Sequence, residues 1–79
     1  ADAVKALLSE LGRQGAVEPE IGIELGKYYW PVEVAWPTQR VVIVDGDDEE
    51  RDMSLGSEGF EVFHAGSTSA EEIEAALAR

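Results

Sequence analysis

The chain is expected to form a small mixed α/β domain, and three features of the sequence carry that expectation. Apolar residues recur at helical spacing near both ends, whereas the middle alternates with the period of two that marks strands. Between these lies Arg40-Val41-Val42-Ile43-Val44, a β-branched run without alternation, as a strand covered on both faces requires. The segment Ser69-Ala70-Glu71-Glu72 also matches the reciprocal capping box that opens a helix.

In chain order, Ala3, Val4, Leu7, Leu8 and Leu11 predict an amphipathic helix over 2–13, with Asp2 as cap or first-turn acid and Gly12 and Gly15 ending it. Gln14 to Pro19 reads as a loop. Ile21, Ile23 and Leu25 alternate with Glu20, Gly22 and Glu24, predicting a half-buried strand with its polar face outward. After a tight connection at Gly26-Lys27, the alternation of Val32, Val34 and Trp36 predicts an antiparallel partner that Pro37 ends. The apolar strand closes at Asp45-Gly46. A mostly polar helix is expected within 47–57, docking through Met53 and Leu55 and stopped by Gly56 and Gly59. Phe60, Val62 and His64 predict a last strand, parallel to Val41–Val44 because a helix intervenes. Ile73, Ala76 and Leu77 supply the apolar stripe of the final helix, so the order is α-β-β-β-α-β-α.

Seventy-nine residues allow one core, since a chain of this size buries only about 60–65% of its unfolded surface. With 44% hydrophobic and 29% charged residues the composition is that of a globular domain. There is no cysteine, so disulfides and thiolate metal sites are excluded and packing must stabilise the fold. The longest apolar run, Val41 to Val44, is far too short to span a bilayer, and the first residues lack the pattern of a leader. A soluble, cytoplasmic domain is the expectation. A start at Ala1 rather than Met favours a single domain, 1–79, excised from a larger protein.

Six Lys and Arg against seventeen Asp and Glu give a formal charge of −11, which repels a phosphate backbone. Direct nucleic-acid binding by this domain alone is therefore disfavoured. The charge reads first as a solvated surface, and next as a face that docks a basic partner or mimics nucleic acid. The acids from Asp45 to Glu50 fail calcium-loop spacing and fit a helix start, where the positive end of the dipole favours them. No glycine-rich phosphate loop occurs, and no cofactor is expected. His64 stands without a nucleophile elbow and reads as a strand-end histidine with an ordinary hydrogen bond. Tyr28, Tyr29, Trp30 and Trp36 are candidates for an aromatic interaction surface, with core or strand-edge packing as the plainer reading; Lys27 and Arg40 are too few to make a basic groove beside them.

The phrase Val32-Glu33-Val34-Ala35-Trp36-Pro37, the hydrophobic strand ending in Asp45-Gly46, the charged helix and Gly59-Phe60-Glu61-Val62-Phe63 together resemble the very-short-patch-repair-endonuclease-like branch of the PD-(D/E)xK nuclease superfamily. The likeness covers residues 31–65. It implies a restriction-endonuclease-like core and places the family's first acid on Glu33 and its last strand acid on Asp45. The central glutamate falls on Ile43, and no lysine follows at the usual spacing. Strand residues two apart share a face, so Ile43 is expected beside Asp45, with Glu33 facing them from a neighbouring strand. A divalent metal wants converging hard oxygens, and isoleucine offers none. Glu33 and Asp45 remain the weak candidates for a metal, and Glu33, Asp45 and Glu24 the candidates for catalysis if any survives.

Degenerate copies with the Ala-Trp-Pro signature resemble accessory segments in the C-terminal parts of bacterial DEAD/DEAH-type helicases. The resemblance thus implies a noncatalytic accessory or docking domain whose partner is the rest of its parent chain or another protein. Two alternatives remain, a metal-dependent endonuclease with a reduced site and an acidic adaptor or DNA mimic.

Overall fold

A strand built from Val41, Val42, Ile43 and Val44 has no polar face to give to water, and the rest of the chain is arranged to cover it. In the computed structural model, which describes residues 2–79, these four residues form β3 (Val41–Val44), and all four are buried. The other elements are α1 (Asp2–Arg13), β1 (Glu20–Leu25), β2 (Trp30–Trp36), α2 (Glu49–Ser57), β4 (Glu61–His64) and α3 (Ala70–Leu77), with a 3-10 turn at Ala65–Ser67. The sheet runs β1-β2-β3-β4. The first three strands form an antiparallel meander, with Val34 opposite Ile43 and Trp36 opposite Val41. Strand β4 lies parallel to β3, with Val44 beside His64. A parallel pair needs a long crossover, and α2 supplies it.

Alternation along β3 divides the core in two. Val41 and Ile43 join Val34 and Trp36 under α1 and α3, which contribute Leu7, Leu11 and Ile73. Val42 and Val44 join Val32, Ala35 and Leu55 on the α2 side. Helix α1 buries Val4, Leu7 and Leu11, one stripe at three- and four-residue spacing. Helix α3 opens with the capping box: Ser69 accepts from the Glu72 amide, and the Glu72 carboxylate accepts from the Ser69 amide. Helix α2 is capped by Asp48, whose side chain accepts from the Arg51 amide, and its first turn is acidic as the helix dipole favours.

The structure corrects several expectations. Met53 is 68% exposed while Leu55 is buried, because residues two apart on a helix point nearly oppositely. The sheet-facing pair of α2 is Arg51 and Leu55, one turn apart. Gly56 lies inside α2 rather than ending it. Strand β2 begins at Trp30 and includes Pro31, which is tolerated because β3 pairs only with Val34 to Trp36 and leaves no ladder bond for proline to interrupt on that side.

Ile21, expected to point inward, is 60% exposed. It stands opposite Val34, whereas Ile23 stands opposite Val32, and Val34 and Val32 belong to different core layers. Two residues that should share a face are split, so both strands change face between these pairs. Gly22, with φ of 60°, sits at the break in β1, and Glu33 occupies the matching place in β2.

Leu55 is the only aliphatic side chain of α2 that reaches the sheet, so Leu55→Ala is expected to cost about 2–5 kcal/mol in urea unfolding. Met53→Ala should change stability by less than about 0.5 kcal/mol in the same measurement.

Candidate functional site

Open α/β sheets collect ligands beyond the carboxyl ends of their parallel strands. Here β3 and β4 end side by side at Val44 and His64, and the segment Asp45 to Asp48 leaves β3 to enter the first turn of α2. The first residue beyond β3 is tied back to β2, since the Asp45 amide donates to Glu33 Oε1 at 2.9 Å. The next is tied to α2, since Arg51 Nη2 donates to the Gly46 carbonyl at 2.9 Å.

Arg51 organises the cluster. It is 7% exposed, the sole buried charged side chain among the described residues, and its Nε donates to Asp52 Oδ1 at 2.9 Å. The other oxygen of that carboxylate accepts from His64 Nε2 at 2.7 Å, which orients the imidazole from the end of β4. His64 Nδ1 then faces Asp47 Oδ1 at 3.8 Å, beyond direct hydrogen-bond reach. The result is a hydrogen-bonded chain from Arg51 through Asp52 to His64. A pocket of about 520 Å³ opens beside it, bordered by Asp47, Asp48, Glu49, Asp52, Met53 and His64. An aspartate that orients a histidine is one part of a general base. No serine or threonine borders this pocket.

The sequence-derived acids separate. Glu33 is half-buried on β2 and spends Oε1 on the Asp45 amide, while the Asp45 side chain is exposed just past β3. Glu24, exposed on β1, borders a different groove of about 490 Å³ between the β1–β2 hairpin and α1, which Glu33 also lines. Ile43 is 0% exposed and packs in the apolar layer under α1 and α3. Its side chain is sealed beneath helices, and Asp45 lies outside the strand pairing that would have set the two on a shared face. A divalent ion does not fit these residues: the central position offers hydrocarbon in a dry layer, and Glu33 already holds a main-chain donor. Among the described residues, no group of three or more His, Cys, Asp or Glu side chains is disposed to hold a metal.

The aromatic set also separates. Trp36 is 2% exposed, and its Nε1 donates to the Val17 carbonyl at 2.6 Å, so it is a core residue and cannot form part of an interaction surface. Alternation had already placed it on the face of Val34, which turns toward α1 and α3. Tyr28 and Tyr29 are exposed at the hairpin tip, and Trp30 is half-buried beneath them.

Sequence reasoning missed the Arg51–Asp52–His64 chain. His64 lies 12 and 13 positions from Asp52 and Arg51, and only the crossover through α2 brings it to them. The one available signal was an arginine amid acids at a helix start, where the dipole disfavours a cation and a specific partner is needed to hold it.

The fold and these positions define a four-stranded mixed α/β domain with a charged cluster at the ends of its parallel strands. Comparison with family models, curated proteins and solved structures finds no match to this chain.

Arg51→Met would leave the Gly46 carbonyl and Asp52 Oδ1 without their donor at roughly constant volume. It is expected to cost about 2–4 kcal/mol in urea unfolding. Glu49→Gln, two residues earlier and exposed, should stay within about 0.5 kcal/mol.

Proposed function

We propose that this chain is a catalytically silent, nuclease-like module that docks within a larger DNA-processing protein, such as one driven by a DEAD/DEAH-type helicase motor. The observation that carries the reading is Ile43, fully buried in hydrocarbon at the position where the resemblance places a metal-binding glutamate. Without that carboxylate, Glu33 and Asp45 cannot gather the oxygens that activate water for phosphodiester attack. The formal charge of −11 agrees with this, because it opposes unaided approach of DNA. In such a module the parent protein supplies ATP chemistry and contact with DNA, and this domain contributes a surface.

A second reading is favoured by the exposure of every residue from Asp45 to Glu50. Six consecutive solvent-facing positions with five carboxylates suit an acidic adaptor that occupies a basic protein face. The remaining alternative, a reduced-site endonuclease using Glu33, Asp45 and Glu24, needs Asp45, which lies outside the groove that Glu24 and Glu33 share, to act with them.

The test is incubation of the chain with supercoiled and linear DNA in magnesium and in manganese. No nicking is expected with either ion. Metal-dependent nicking that disappears in Glu33→Ala would overturn the silent-module reading in favour of the endonuclease.

A further inference from the structure

A third pocket, of about 390 Å³, lies where the β1–β2 hairpin tip leans on α2, and it is lined by Tyr28, Trp30, Glu50 and Ser54. Glu50 and Ser54 are one turn apart on α2 and so share a face, while Tyr28 and Trp30 approach from the hairpin. Two aromatic rings and one carboxylate around a small pocket form a site for a cation, because ring faces carry negative electrostatic potential and the acid supplies a full charge. The volume is at the small end of the range for ligand pockets, which suits a single side chain better than a nucleotide.

The pocket is held in shape before any ligand arrives. The turn Gly26 to Tyr29 closes through the Tyr29 amide, which donates to the Gly26 carbonyl at 3.1 Å. The Lys27 amide donates to both carboxylate oxygens of Glu58, just past α2, at 3.1 and 3.2 Å. Gly26 sits so close to α2 that an added Cβ would meet Glu58 Oε2 at 2.9 Å and Leu55 Cδ2 at 3.1 Å. Tyr29 is held at a φ of 56°, a region that bulky side chains rarely adopt, so the tip keeps an aromatic residue where glycine or asparagine would be easier.

One further observation bears on the charge of the occupant. Lys27 Nζ stands 5.2 Å from the centre of the Tyr28 ring, so this ring already attracts a cation. The geometry points to this pocket as a receptor for an arginine side chain on a basic polypeptide segment. Its guanidinium would stack on Tyr28 and Trp30 and pair with Glu50. Arginine is selected over lysine because a planar guanidinium both stacks on rings and donates two parallel bonds to a carboxylate. A single-stranded nucleic acid would bring phosphates to Glu50 within a field of −11, which opposes it. The inference rests on the docking reading, for which it names the chemistry of the partner.

The experiment titrates nona-arginine into the isotope-labelled chain and follows the two indole N–H signals by nuclear magnetic resonance. The Trp30 signal is expected to shift saturably, while the Trp36 signal, bonded to the Val17 carbonyl, stays in place as an internal reference. Glu50→Gln should weaken binding about tenfold and Tyr28→Ala about fivefold. Glu49→Gln removes the same charge outside the pocket and should weaken it less than about twofold. An unmoved Trp30 signal overturns the assignment, as does equal weakening by Glu49→Gln and Glu50→Gln, which marks attraction by net charge alone. Nona-lysine shifting Trp30 at the same affinity overturns the choice of arginine. The titration needs no parent protein, so its failure leaves docking at another surface standing. Metal-dependent DNA cleavage would end the docking reading without altering the peptide result.

Discussion

Hydrocarbon on both faces of β3 is the constraint from which the layered architecture follows. Val42 and Val44 call for cover on one side, Val41 and Ile43 on the other, and a chain of 79 residues meets that demand with one helix below and two above. Covering a two-faced strand within so short a chain leaves little apolar surface for anything else. Stability is therefore spread thinly, and single contacts such as Leu55 against the sheet carry a large share of it.

The same constraint governs the chemistry available at the strand ends. An isoleucine used to seal the core under α1 and α3 cannot also present oxygen to an ion, and a carboxylate placed there would lose its hydration for no partner. Polar function is displaced outward, to the residues just beyond β3 and β4. There a buried arginine joins three elements: it holds the Gly46 carbonyl after β3, orients Asp52 on α2 and, through Asp52, positions His64 at the end of β4. A buried cation of this kind requires well-placed partners to offset its desolvation, and in return it fixes the geometry of the turn it bridges.

Surface electrostatics and the hairpin act in the same sense. A strongly acidic exterior disfavours phosphate and favours basic polypeptide, and the one rigidly held aromatic projection, at Tyr28 and Tyr29, is anchored to α2 through Glu58. Both features are those on which the proposed docking reading draws.

Sequence alone determined the elements, because they depend on local periodicity and local capping. The stripe Val4, Leu7, Leu11, the β-branched run to Val44 and the Ser69 and Glu72 box each contain their own instructions, and each forms where the pattern places it. The placement of Trp36 inside the core follows from alternation with Val34 once the strand is drawn. Tertiary structure decided everything that depends on a break in alternation or on residues distant in the chain. No periodicity announces that β1 and β2 change face between Ile21 and Ile23, or that α2 turns Arg51 rather than Met53 toward the sheet. The joining of Asp52 to His64, and of Tyr28 and Trp30 to Glu50, arises only when the crossover and the hairpin fold against one helix, since side-chain contacts across the fold are set by packing and not by neighbours in sequence.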